Sequence, residues 1–302
     1  MREKVCVREV GLRDGLQMVA TILPTERKIE WCFLAAKAGV TEIEVTSFVP
    51  AKVLPQFADA EEVVRAALAI GTIKPSALVP NLKGAERAFR LGLPQITYVL
   101  SASDAHNRAN VRRSTEESIS EFANIVEMRN QLPGLRPHLS VGISTSFGCT
   151  IAGSIPEERV INIASTLAQS GADEIIVADT VGYADPVQVR RLVSSVKSEV
   201  GAIPVGCHFH DTRGLGLANI TVALDIGIRI FDASLGGLGG CPYAPGATGN
   251  VTTEDTVFLL ERLGFDTGID LQALIDLRKK VELWLPGENM SGAIARAGLP
   301  KI

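Results

Sequence analysis

Histidine is scarce in this 302-residue chain, which has only four, and its five cysteines include no C-x-x-C pair. Cys6, Cys32, Cys149, Cys207 and Cys241 are odd in number and scattered. That excludes a disulfide framework and zinc-finger spacing and suits free thiols in a reducing compartment. Basic runs are also missing: 30 Lys and Arg stand against 34 Asp and Glu, a net charge of -4, so nucleic acid is not an expected partner. No apolar run reaches the roughly 18 residues of a membrane span. The start, MREKVCVREVG, passes from charge directly into a strand pattern, without the apolar segment and cleavage site of a signal peptide. A cytoplasmic protein that does not bind membranes is expected. What the chain does have is 46% hydrophobic residues with dispersed glycine and proline, enough for a large packed core. Its length fits either two ordinary domains or one large barrel.

The order of elements favours the barrel. Strand-like runs fall at 5–12, 42–48, 75–80, 95–102, 138–147, 174–180, 204–211 and 229–235. Segments of helical period lie between or after them at 24–38, 59–70, 83–91, 114–131, 156–170, 185–199, 216–226 and 253–263. Thr25, Pro156 and Pro186 mark helix starts, and Gly39, Gly71, Gly171, Gly201, Gly227 and Gly264 mark stops. Eight βα units without a change of composition predict a (β/α)8 TIM barrel over residues 1–267, with 268–302 as a helical C-terminal extension. A doubly wound open sheet is the alternative.

In such a barrel the chemistry sits at the carboxyl ends of the strands. Arg13 and Asp14 end strand 1, Glu44, Thr46 and Ser47 lie on strand 2, Asp179 and Thr180 end strand 6, and His208, His210 and Asp211 end strand 7. Residues two apart on a strand share a face, so His208 and His210 both point inward. Two adjacent imidazoles are half of a divalent-metal site or, more simply, a hydrogen-bonded pair in a core. The Asp14 carboxylate and the Asn250 amide can complete a mixed N/O set for Mn, Mg, Co or Zn, with Mg or Mn the expected ion. Asp179 is either a proton acceptor or a helix cap. Arg13 is a permanent cation suited to a carbonyl oxygen that gains charge.

Six stretches, EVGLRDGLQ (9–17), IEVTSFV (43–49), VPNLKG (79–84), ADTVGYADP (178–186), HFHDTRGLGLAN (208–219) and GGLGGCPYAPGATGN (236–250), together resemble the hydroxymethylglutaryl-CoA lyase family of the DRE-TIM metallolyases. The resemblance runs from about residue 5 to about residue 265. It implies a metal held by Asp14, His208, His210 and Asn250, with Arg13, Asp179 and Cys241 as reacting groups and Glu44 as a supporting acid. It implies an acyl-CoA substrate, contacted by Arg13, Gln17, Ser47 and Arg213, and retro-Claisen cleavage of a 3-hydroxyacyl-CoA. 3-Hydroxy-3-methylglutaryl-CoA is the first choice and citramalyl-CoA close behind. Cys241 sits among glycines and prolines, where a thiol can close over the substrate and donate a proton. A homodimer is compatible with the C-terminal helix.

The chain departs from the best-known members at the substrate side. It reads Arg213-Gly214-Leu215 where they read Y-G-Q, it has Ile176 and Val177 where they have a small polar residue, and it has Gly142 where a tyrosine is expected. The competing readings are a condensing synthase, which usually reads H-x-H-N-D and carries a long regulatory region, a pyruvate-releasing aldolase, and a non-catalytic barrel, which predicts a broken metal set.

Overall fold

In a computed structural model of the chain, residues 2–134, 136–240 and 249–301 are described. Eight parallel strands close on themselves in chain order: β1 (Cys6–Glu9), β2 (Glu42–Ser47), β3 (Lys74–Val79), β4 (Gln95–Ser101), β5 (His138–Ser144), β6 (Glu174–Asp179), β7 (Val205–Phe209) and β8 (Ile230–Ala233). Ring closure is made by β1 against β8, with Arg8 opposite Asp232. The helices α1 (Thr25–Lys37), α2 (Ala60–Ile70), α3 (Leu82–Arg90), α4 (Asp104–Val111), α5 (Thr115–Asn130), α6 (Glu157–Ser170), α7 (Pro186–Val200), α8 (Gly216–Asp225) and α9 (Thr253–Arg262) form the outer ring. This is the expected TIM barrel.

Local chemistry accounts for the helix ends. Ser114 and Glu117 form a capping box at the start of α5, with Ser114 Oγ accepting from Glu117 N at 3.0 Å and Glu117 Oε2 accepting from Ser114 N at 2.6 Å. Such a cap contributes about 1 kcal/mol. Asp185 caps α7 by accepting from Val187 N and Gln188 N, with Pro186 in the first turn.

Several strands end earlier than their expected runs, β1, β5 and β8 among them. Strand β1 stops at Glu9 because Gly11–Gly15 winds into a single π-helical turn in which the N–H groups of Arg13, Asp14 and Gly15 all reach Val10 O. Gly11 is required there, since a Cβ would lie 2.5 Å from Glu9 Oε1 and 2.9 Å from Trp31. Strand β5 stops at Ser144 because Thr145 takes a left-handed φ of 58°, and β8 stops at Ala233. Helix α4 occupies a stretch read from sequence as loop: it is polar, with no apolar period, and Ser103 caps it by accepting from His106 N.

After the barrel, α10 (Leu271–Trp284) packs on α1 and α9, and the short α11 (Ala293–Ala297) packs on α9. Between them, Ser291 N donates to Gly236 O and Met290 lies against Gly236, so the extension braces the segment after β8. Among the described residues no helix is long and apolar enough to cross a membrane.

Candidate active site

The π-turn after β1 lifts Arg13 and Asp14 over the carboxyl end of the barrel, facing the two histidines of β7. His208 Nε2 and His210 Nε2 stand 3.2 Å apart, and Asp14 Oδ2 is 3.9 Å from the first and 4.0 Å from the second. These three residues bring potential ligand atoms within 4.8 Å of one another. Asn250 joins them because residues 249–252 run back along the barrel: Asp211 N donates to Gly249 O, Val251 N to Phe209 O, and His210 and Asn250 form an isolated antiparallel bridge. Asn250 Nδ2 donates to Asp14 Oδ2 at 2.7 Å and to Leu238 O at 2.9 Å. Its buried Oδ1 has no protein partner.

The donor set fits a divalent cation. Asp232 Oδ2 lies 3.2 Å from His208 Nδ1, so this nitrogen carries the proton and Nε2 turns its lone pair toward Asp14 and His210. Burial opposes charge on His208, but the hydrogen bond to Asp232 and the nearby Asp14 outweigh it and raise its pKa. Burial, then the neighbouring His208, depress His210 to about 4, which leaves it a neutral imidazole at neutral pH. Asp14 is also desolvated, yet Arg13 and the histidines hold it at about 2, ionised at neutral pH. A hydrogen-bonded core pair would satisfy the two imidazoles alone. It would not account for the orphaned Asn250 oxygen or for the carboxylate aimed at both rings.

Beneath this set lies a group that the sequence reading missed. Arg8, buried, donates through Nη2 to Glu174 at 3.0 Å, through Nη1 to Asp232 Oδ1 at 3.1 Å and through Nε to Glu42 at 3.2 Å. Arg13 donates from Nε to Glu44 and from Nη1 to Asp14, both at very short range. The barrel interior thus sets five carboxylates, those of Asp14, Glu42, Glu44, Glu174 and Asp232, against the guanidiniums of Arg8 and Arg13. Even with Lys74, whose Nζ lies 3.8 Å from Glu42, counted in, negative charge remains in excess, which favours a bound cation. The available signal was register: Arg8, Glu42, Glu174 and Asp232 are charged residues in strands otherwise suited to a core.

Other expected site residues are placed differently. Asp179 does not cap α7, which is the work of Asp185; its carboxylate oxygens accept from Tyr183 N at 2.8 Å and Ala184 N at 3.1 Å and so turn the loop after β6. Burial pushes its pKa up to about 6 against those two hydrogen bonds. Ser47 is buried and its Oγ accepts from Val49 N. Gln17 is half-buried just past the π-turn. Arg213 is exposed and bridges two loops, donating to Val181 O at 2.9 Å and Gly182 O at 3.0 Å with its guanidinium 4.5 Å from the Tyr183 ring centroid. Asp211, adjacent to His210, accepts from Gly216 N and shapes its own loop. His106 is buried in α4 with Nδ1 2.8 Å from Ser101 Oγ. Cys241 lies outside the described residues; the flanking Gly239 sits so close to Asp14 O and Asn250 Nδ2 that a Cβ would be 2.7 and 2.8 Å from them.

Comparison with known proteins agrees with the fold. Residues 4–281 match the HMGL-like protein family. The chain is 39% identical to the hydroxymethylglutaryl-CoA lyase YngG of Bacillus subtilis, over 93% of each sequence. It is also 39% identical to the (R)-citramalyl-CoA lyase of Chloroflexus aurantiacus, over 98% of this chain and 95% of that protein. A solved HMG-CoA lyase from Acinetobacter baumannii, in complex with coenzyme A and 3-methylmalate, superposes with a TM-score of 0.92 at 41% identity, covering 99% of this chain and 98% of that one.

Proposed function

We propose, from the premise that the chain belongs to the HMGL-like family, that it is a divalent-metal-dependent carbon–carbon lyase. It cleaves a 3-hydroxyacyl-CoA, with 3-hydroxy-3-methylglutaryl-CoA giving acetyl-CoA and acetoacetate. The observation that carries this reading is the convergence of Asp14, His208, His210 and the unpartnered Asn250 Oδ1 beside Arg13 on one rim of the barrel. The relatives' names support the reaction class.

Asp14, His208, His210 and Asn250 would hold the cation, with Mg or Mn suited to the mixed set. Bound there, it would supply positive charge that lowers the pKa of the substrate's 3-hydroxyl. The protein's own groups carry the rest. The hydroxyl proton passes to Asp179, directly or by relay; the C3–O bond becomes a carbonyl as the C2–C3 bond breaks, and the electron pair enters the thioester enolate. Arg13 faces that oxygen, held in place by Glu44, and stabilises the developing charge. The Cys241 thiol then protonates C2 to complete acetyl-CoA. Gln17, Ser47 and Arg213 shape the substrate side, with Arg213 acting through the loop after β6 that it holds. The free thiols of Cys6, Cys32, Cys149 and Cys207 suit a reducing compartment such as the cytoplasm.

Two readings compete within the class, because the chain is as similar to a citramalyl-CoA lyase as to a hydroxymethylglutaryl-CoA lyase. The test is acetyl-CoA release by the purified, Mg- or Mn-loaded protein from both thioesters, with Cys241→Ser alongside. Cleavage of 3-hydroxy-3-methylglutaryl-CoA, turnover lost by 100-fold or more in Cys241→Ser and metal content unchanged, is the expected result. Release of pyruvate from citramalyl-CoA alone favours the second reading. Condensation of acetyl-CoA with a 2-oxo acid, and no cleavage, refutes both.

A further inference from the structure

We infer that Leu78, Val99, Gly142 and Ile176 form an apolar recess for the substituent that the substrate carries at C3, and that this recess accepts, and favours, substituents larger than the methyl of 3-hydroxy-3-methylglutaryl-CoA. The inference rests on the lyase reading above and concerns its substrate class.

Register places these residues on one inner wall. Gly142 is paired with Val99 on one side and with Ile176 on the other. Ile176 lies two residues before Ala178, which is opposite His208, so the wall begins just below the metal-ligand level. Leu78 continues it on β3, opposite Thr97 of β4. The interior of a small barrel is normally filled by its side chains. Here Leu78 and Val99 remain partly exposed although they face inward from the middle of closed strands. Beside Val99 the register puts Gly142, which has no side chain to fill the space. A Cβ built there would touch only Val99 Cγ2 at 3.4 Å and Tyr98 O at 3.9 Å, both ordinary contacts, so the glycine leaves open volume beside Val99. Its φ is not in the left-handed region, so no backbone strain requires a glycine here.

Charge is distributed unevenly around the barrel. At the level of the metal-ligand candidates the interior ionic groups, Arg13, Asp14, Glu44, Asp232 and the two histidines, belong to β2, β7 and β8 or to the turn after β1, while Glu174 of β6 and Lys74 of β3 reach in from lower on their strands. The wall of β3, β4 and β5 offers Leu78, Val99 and Gly142 at this level, closed by Ile176 of β6. Carbon 3 of a hydroxyglutaryl thioester carries a hydroxyl, a carboxymethyl group, the thioester arm and one further substituent. The first three are polar and find partners on the charged side, at Asp14, the histidines and Arg13. The fourth is left for the uncharged wall, and burial there rewards each added methylene.

The test is a series of 3-hydroxy-3-alkylglutaryl-CoA thioesters, from methyl to butyl, with acetyl-CoA release measured on the metal-loaded wild-type protein. We expect kcat/KM to rise about fourfold per methylene until the recess is full. In Gly142→Leu, which fills it, and in the milder Gly142→Ala, the butyl-to-methyl ratio should fall by tenfold or more and by a smaller factor respectively. A wild-type preference that is flat or favours methyl, with cleavage intact, overturns the recess and leaves the lyase reading standing. Cleavage of no member, methyl included, overturns both. Wild-type preference for long chains with ratios unchanged in both variants assigns the substituent to another wall and also overturns the inference.

Discussion

Asp232 touches no reacting atom in this account, yet it decides what His208 offers. Its Oδ2 binds Nδ1 of His208 while Oδ1 is held by Arg8, so the ring keeps both its tautomer and its angle. Asp232→Asn should weaken Mn binding about 10- to 100-fold, measured by titration of the purified protein, with a native circular-dichroism spectrum; unchanged affinity would remove Asp232 from the site. The six residues that the structure brings together at this rim, Arg13, Asp14, Glu44, His208, His210 and Asn250, were legible because each stands in a stretch where its residue type is conspicuous. Arg8 and Asp232 were not, since the partners of a lone charge in an apolar strand depend on barrel closure, which sets β1 beside β8. Arg213 shows the opposite case. Its position on the rim was legible, but its guanidinium turned to the carbonyls of Val181 and Gly182, acceptors that a sequence does not display.

At the scale of elements, the segment after β8 is held by two buried acids. Glu9 accepts from Gly11 N, Leu235 N and Thr253 Oγ1, and Glu254 accepts from Gly236 N on the same short stretch. Burial pushes Glu9 up to about 7 and Glu254 up to about 8, against the hydrogen bonds to each and, for Glu254, the nearby Arg278. Both are raised above an ordinary carboxylate value of 4.5. These two groups therefore bind more protons in the folded protein than in the unfolded chain between about 4.5 and 8, and the stability they contribute at low pH is lost as pH rises through that window. Thermal unfolding should show a decline from pH 5 to pH 8 on the order of a few kcal/mol. Glu254→Gln should flatten it; an equal slope in the variant would show that the acid is not the source. The eight strands and eight intervening helical segments were legible from period, turn and cap signals. The π-turn was not, because three N–H groups sharing Val10 O is a feature of the close approach of Gly11 to Glu9 and Trp31. Helix α4 was missed for lack of an apolar face.

For the whole molecule, barrel closure turns scattered residues into one site. Asp14 and Asn250 lie at opposite ends of the sequence and meet at 2.7 Å only because β1 and β8 are neighbours. Eight βα units in order made this closure legible, and with it the rim on which the ligands would gather. Substrate size was harder to read, since Gly142 and Ile176 gain meaning only through their register with each other and with Val99. The central claim is that one cation, held by these four residues, is required for carbon–carbon cleavage. The direct measurement is Mn titration of the chelator-stripped protein, with bound metal and acetyl-CoA release from 3-hydroxy-3-methylglutaryl-CoA read on the same samples, for wild type and His210→Ala. The account predicts activity that rises with about one equivalent of bound metal in the wild type. It predicts His210→Ala at least 100-fold weaker in both readouts. Full activity in the stripped protein, or in His210→Ala without bound metal, would contradict it.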